Sequence, residues 1–292
     1  MDRRSFLKGV AVAGAAGAAS SAVPAAAREK ATAPADAVGL LYDATLCIGC
    51  KTCVVKCREA NGMVPQTKAS GGLWDQQTDL DGDTRNVIKL FKDGERTSFM
   101  KAQCMHCVDP GCVGACMLGS LQKREYGIVT WKGDLCIGCR YCAVACQYNV
   151  PKFEWWSATP KVVKCELCSH RLAEGKQPAC TEVCPRKAVI FGKHADLLAQ
   201  AKARVAQSPG RYEPKVFGET DGGGTQVLYL SKKGVSFEDL GLPNVGDEPT
   251  PALAQTIQHG IYKGFIAPVA LFAAAGFVTW RNRNKGEPGG GA

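Results

Sequence analysis

The chain writes nearly the same twelve residues twice, LCIGCKTCVVKC at 46–57 and LCIGCRYCAVAC at 135–146. Both copies follow C-x2-C-x2-C-x3-C. All sixteen cysteines fall into four groups of four, with none left over. Group one is Cys47, Cys50, Cys53 and Cys57; group two is Cys104, Cys107, Cys112 and Cys116; group three is Cys136, Cys139, Cys142 and Cys146; group four is Cys165, Cys168, Cys180 and Cys184. Group two stretches its middle gap to four residues, and group four closes with C-x11-C-x3-C. Any fold that gathers these thiols has little freedom in how its loops run.

Three chemistries use cysteine at this density. Disulfides suit an exported chain, but the two cysteines of a C-x2-C unit brace a structure poorly. Zinc takes four thiolates as two separated C-x2-C pairs. Group four admits that reading, whereas three cysteines at x2 spacing do not. An iron-sulfur cubane fits best. Cysteines at i, i+3 and i+6 wrap three corners of one cluster, and the cysteine four residues further on serves another. Each cluster then borrows a ligand from a remote group, so the groups must pair. Groups two and three are neighbours, separated by nineteen residues that read as a hairpin, which leaves groups one and four to close the ends. This nested scheme expects Cys104, Cys107, Cys112 with Cys146; Cys136, Cys139, Cys142 with Cys116; Cys47, Cys50, Cys53 with Cys184; and Cys165, Cys168, Cys180 with Cys57. Sequential pairing, one with two and three with four, stays open on spacing alone.

The composition, 46% hydrophobic and 22% charged, is that of a folded protein. The net charge of +9 dissolves on inspection: Arg3, Arg4 and Lys8 against Asp2 account for +2, residues 281–292 for another +2, and no basic block stands in the remainder. Nucleic acid is not an expected partner.

The two ends read as addresses. Residues 1–27 join paired arginines to Phe6, Leu7 and Lys8, a weakly apolar run and an Ala25-Ala26-Ala27 site, the order of a twin-arginine export signal. That route carries folded proteins, often with metal cofactors installed. Residues 261–280, IYKGFIAPVALFAAAGFVTW, at about 1.5 Å per residue span about 30 Å, a bilayer's hydrocarbon core. Trp280 suits the interface, and the basic tail 281–292 the cytoplasmic side. The expectation is a body on the periplasmic face of the cytoplasmic membrane, held by a single-pass C-terminal anchor in lipid. A buried core helix is the competing reading.

Between these ends, GLLYD (39–43), GIVTW (127–131) and AVIFG (188–192) have strand composition. Residues 86–102 alternate about Asp93-Gly94 as a hairpin. ADLLAQAKARVAQ (195–207) has helical periodicity and stops before Pro209-Gly210. Residues 60–85 read as a surface insertion. The expected fold class is α+β: two ferredoxin-like modules with interleaved cysteine groups and one C-terminal transmembrane helix. The four-cluster domain covers 38–194, with an inner module at 102–152 and an outer one built from 38–60 with 161–194; a helix and irregular arm occupy 195–258.

With LYDATLCIGCKTC, KAQCMHCVDPGC, LCIGCRYCAVACQYNVPK, KCELC, EVCP, GGGTQVLYL and IQHGIYKG in view, the chain resembles the membrane-anchored four-cluster ferredoxin subunit of hydrogenase-2-type nickel-iron hydrogenases. More widely it resembles the beta subunits of formate dehydrogenase and dimethyl sulfoxide reductase. The resemblance implies the nested pairing and four 4Fe-4S clusters. It also implies a hydrogenase small subunit (and through it the large subunit) as electron donor, and an integral membrane quinone-reactive subunit as acceptor. One departure stands out: Pro185 follows Cys184 as in ferredoxins, but Arg58, Met117 and Gln147 follow the other closing cysteines.

No catalytic centre of the chain's own is expected. No C-x-x-C-H is present for covalent haem, and Gly222-Gly223-Gly224 reads as a turn rather than a phosphate cradle. His106, Tyr126 and Trp155-Trp156 read as packing or subunit contact before any electron-transfer role. His259 lies beside the anchor, where a quinone site in a partner is the sharper reading and a bland one the commoner. A formate dehydrogenase beta subunit and a zinc-stabilised structural or assembly protein are the alternatives.

Overall fold

The computed structural model describes residues 31–64 and 79–283. The export signal, most of the 60–85 insertion and the last residues of the basic tail lie outside them. Nine strands are present among the described residues: β1 (Val38–Asp43), β2 (Asn86–Asp93), β3 (Arg96–Gln103), β4 (Leu121–Lys123), β5 (Val129–Trp131), β6 (Lys152–Phe153), β7 (Val162–Val163), β8 (Val189–Lys193) and β9 (Val227–Leu230). The α-helices are α1 (Thr52–Ala60), α2 (Gly111–Gly114), α3 (Tyr141–Val144), α4 (Ser169–Ala173), α5 (Ala179–Glu182), α6 (His194–Gln207) and α7 (Thr250–Arg283). The mixture of strands and helices agrees with the expected class. The chain forms a body ending at Pro251 and a separate helical unit beyond it.

The frame of the body is a three-stranded sheet in the order β8-β1-β9, with β1 antiparallel to β8 and parallel to β9. Alternation along a strand sends successive side chains to opposite faces. Leu41, Leu228 and Leu230 therefore pack with Leu197 and Ala201 of α6, while Leu40, Tyr42, Val227 and Tyr229 face the other way, into the main core with Val54, Val87 and Met105. Covered on both sides, β1 and β9 are almost continuously apolar, as buried strands are. Two phenols bind this sheet to the next hairpin: Tyr42 donates to Phe99 O at 2.8 Å and Tyr229 to Lys101 O at 2.6 Å.

β2 and β3 form the expected hairpin, with Asp93 opposite Arg96 and Gly94 at φ 56° in the tight loop. A two-residue hairpin loop needs positive φ at its first central position, which glycine adopts freely. The segment between groups two and three is also a hairpin, β4 with β5, and the short β6-β7 pair packs nearby through Phe153 and Val162. Of the insertion, Asp83 is described: its carboxylate and carbonyl accept from the buried Arg58 of α1, the carboxylate at 2.8 Å.

Two boundaries differ from expectation. The stretch after α6, read as an irregular arm, belongs to the body: it supplies β9, whose four residues are fully buried, and Phe217, Phe237 and Leu240 of the core. Gly/Pro-rich flanks masked a strand of only four residues. The terminal helix starts at Thr250 rather than at 261, and its apolar span is Gly264–Arg283. That span is long and apolar enough to cross a membrane, at mean hydropathy 1.4 over an 18-residue window. Phe265, Ile266, Val269, Phe272 and Phe277 are exposed on it, which is not the state of a core helix. Gly222-Gly223-Gly224 forms a tight turn, as expected.

Candidate metal centres

Each cysteine group sits on a loop that curls into a short helix. In group one, Gly49 at φ 70° and Lys51 at φ 57° fold the backbone between Cys47, Cys50 and Cys53 before α1 begins; in group three, Gly138 at φ 71° and Arg140 at φ 65° do the same before α3. The duplicated sequence is thus a duplicated backbone. Groups two and four reach similar curvature by other means, with His106 at φ 48° and with Leu167 and Cys168 both at φ 51°. Left-handed conformations in non-glycine residues are costly, and they concentrate where a fold must aim side chains.

The curled loops point backbone N–H groups at sulfur. Gly49 N–H donates to Cys47 Sγ and Leu167 N–H to Cys165 Sγ, both at 3.4 Å. The closing cysteine of each group also accepts a bond from just downstream: Asn61 Nδ2 to Cys57 at 3.5 Å, Leu121 N–H to Cys116 at 3.4 Å, Val150 N–H to Cys146 at 3.5 Å and Ala188 N–H to Cys184 at 3.2 Å. Donors aimed at sulfur favour the thiolate over the thiol.

The thiols converge across groups as well as within them. Cys53 feels the charge of Cys180, Cys47 and Cys184, and Cys57 that of Cys165, Cys180 and Cys168. Cys107 is surrounded by Cys104, Cys146 and Cys112, and Cys142 by Cys116, Cys136 and Cys139. Burial, reinforced by these neighbours, pushes the Cys53 and Cys112 thiols up to about 12 and those of Cys142 and Cys168 to about 11. Four crowded thiolates in an apolar setting need cationic compensation, which a metal centre supplies by displacing their protons.

Two cavities test the fit. One has Cys116, Cys136, Cys139 and Cys142 in its wall with Leu121 and Phe153; the other has Cys47, Cys50, Cys53 and Cys184 with Tyr42 and Val189. Each holds one cross-group quartet. All sixteen cysteines are free of disulfides. Among the described residues, no three His, Cys, Asp or Glu side chains converge tightly enough to hold a single metal ion. Quartets that join two cysteine groups around an apolar cavity fit the ligand sharing of paired iron-sulfur clusters.

Similarity to known proteins agrees. Residues 96–194 match the family model described as a 4Fe-4S dicluster domain. The hydrogenase-2 operon protein HybA of Escherichia coli O157:H7 is 39% identical over 100% of this chain and 98% of its own length. The chain belongs to the HybA family. The nitrate-inducible formate dehydrogenase iron-sulfur subunit of Escherichia coli K12 is 34% identical, over 83% of this chain and 81% of its own. The formate dehydrogenase iron-sulfur subunit of Haemophilus influenzae is 34% identical over 82% and 77%. This member of the HybA family is an iron-sulfur electron-transfer subunit carrying 4Fe-4S clusters.

Side chains singled out in the sequence fall as follows. His106 is wholly buried; its Nδ1 accepts from Val129 N–H at 3.1 Å, and burial, then the nearby Lys164 and Lys123, hold it neutral. Tyr126, Trp155 and Trp156 are exposed on the body, and the Arg140 guanidinium covers the Trp155 ring at 4.0 Å. They are surface groups, not core. The backbone of His259 lies in α7. Two lysines not singled out in the sequence are buried by the fold, Lys101 in β3 and Lys164 just after β7; a lone lysine carries no local signal of burial.

Proposed function

We propose that the chain holds four 4Fe-4S clusters and relays single electrons between a periplasmic nickel-iron hydrogenase and an integral membrane quinone-reactive partner. Cluster one takes Cys47, Cys50, Cys53 and Cys184; cluster two, Cys57, Cys165, Cys168 and Cys180; cluster three, Cys104, Cys107, Cys112 and Cys146; cluster four, Cys116, Cys136, Cys139 and Cys142. When bound, such a cluster supplies one-electron transfer at a potential set by its surroundings. The chain's own residues do the rest. The thiolates ligate, the downstream N–H groups hold each closing sulfur in place, and Leu121, Phe153, Val189 and Tyr42 give the cavities apolar walls. Inner and outer ferredoxin-like modules then lie at 102–152 and at 38–60 with 161–194.

The observation that carries this reading is that each of two cavities is walled by three cysteines of one group and one of another. The hydrogenase assignment is supported by similarity to HybA along the whole chain, both ends included. The exposed apolar helix supports anchoring, and Arg281 and Arg283 in its last turn support a body on the periplasmic face. Formate dehydrogenase beta subunits offer a second reading, supported by 34% identity over 83% of the chain.

Isolation of the intact membrane complex tests the proposal. Co-purification of a large subunit bearing terminal C-x-x-C pairs supports the hydrogenase reading. A molybdopterin subunit in its place favours the second, and a complex with neither refutes both.

A further inference from the structure

Lys101 is 0% exposed and Lys164 is 2% exposed, and neither meets a carboxylate at ion-pair distance among the described residues. Lys101 Nζ donates to Gln103 Oε1; Lys164 Nζ donates to the carbonyls of Val129 and Cys165, the latter at 3.1 Å. Neutral acceptors do not balance a buried ammonium, and leaving such a charge uncompensated costs more than a marginally stable fold tolerates. The compensating anions are therefore elsewhere, and the surroundings show where. The groups that act on Lys101 most strongly are Cys180, Cys53 and Cys165. Lys101 also stands in the wall of the cavity that gathers Cys47, Cys50, Cys53 and Cys184. Lys164 acts on Cys104, Cys112 and Cys146, while its ammonium rests on the carbonyl of Cys165.

We propose that Lys101 and Lys164 are fixed cations interleaved with the cluster sites, Lys101 between sites one and two and Lys164 between sites two and three, and that they set the potentials of the clusters beside them. The inference rests on the ligand sets proposed above. Cys53 belongs to site one, Cys165 and Cys180 to site two, and Cys104, Cys112 and Cys146 to site three. Each cluster gains one negative charge on reduction. A buried cation beside it stabilises the reduced form more than the oxidised form, and the low dielectric magnifies the difference. A cation shared by two sites also weakens the repulsion between electrons on neighbours. Both lysines are positioning residues: they touch neither substrate nor iron.

The test is redox titration, followed by electron paramagnetic resonance, of the full-length chain purified with its partners. K101M keeps the length of the side chain and removes the charge. It is expected to retain the wild-type iron and sulfide content while two couples move to lower potential. At a fixed potential their oxidised-to-reduced ratio rises about tenfold or more, and tenfold is about 59 mV for one electron. K164M is expected to lower a different pair that shares one member with the first. K101R restores the wild-type titration, and K92M, at an exposed lysine of β2, leaves it unmoved. Full iron content with unshifted couples in K101M overturns the proposal. If K101M does not assemble, K101R and K101Q decide: loading with Arg and not Gln supports a requirement for charge, while loading with neither, or with both at unshifted potentials, overturns it. A wild-type protein without four redox-active clusters refutes the ligand assignment instead, before any lysine is changed.

Discussion

At Gly49 and Gly138 the duplicated loops share a backbone but not a setting. Both have φ near 70°. A Cβ at Gly49 meets Phe99 Cε1 at 2.2 Å, whereas at Gly138 nothing lies within 4 Å. G138A is therefore expected to cost only the left-handed penalty, about 1–2 kcal/mol, and G49A that penalty plus displacement of a packed ring, about 1–3 kcal/mol more. Urea unfolding of the two variants checks the order. Crosswise ligation makes a second prediction at this scale. C184S removes the thiol that joins Cys47, Cys50 and Cys53, so it is expected to abolish the spectroscopic signature of site one and spare that of site two, where its sequence neighbour Cys180 sits. Loss of site two with site one intact contradicts the crossing. The cysteines were legible because chemistry fixes their spacing. Lys101 and Lys164 were not, because burial of a lysine depends on which thiols the tertiary fold brings round it.

Among the elements, β9 shows how packing overrides local composition. VLYL lies between Gly222-Gly223-Gly224 and Gly234, flanks that read as loop, yet it pairs in parallel with β1 and is wholly buried. L228A deletes a side chain packed against α6, and a loss of about 2–5 kcal/mol is expected, measured by denaturant unfolding of the loaded protein. Gly39 is the close approach that lets β1 and β9 meet, since a Cβ there falls 1.9 Å from Gln226 O. The β2-β3 and β4-β5 hairpins and α6 were readable because alternation, a turn residue and a helical stop each act within a few residues. A parallel partner recruited from far along the chain leaves no such mark.

Across the whole molecule, sequence and structure agree on a cysteine-bearing body and one apolar terminal helix, and differ on where the body ends. The residues after α6 are part of the core that supports the cluster loops. Removal of residues 264–292 is thus expected to release the chain from alkali-washed membranes with its iron intact, whereas a cut before β9 is expected to lose iron as well; fractionation with metal analysis distinguishes the two. The central claim, that crossed thiol quartets hold four cubanes, is tested most directly by counting metal in the native, full-length protein. The account predicts about sixteen irons with equal acid-labile sulfide per chain, all accounted for by 4Fe-4S signals in Mössbauer spectra. About four zinc ions and no sulfide would contradict it.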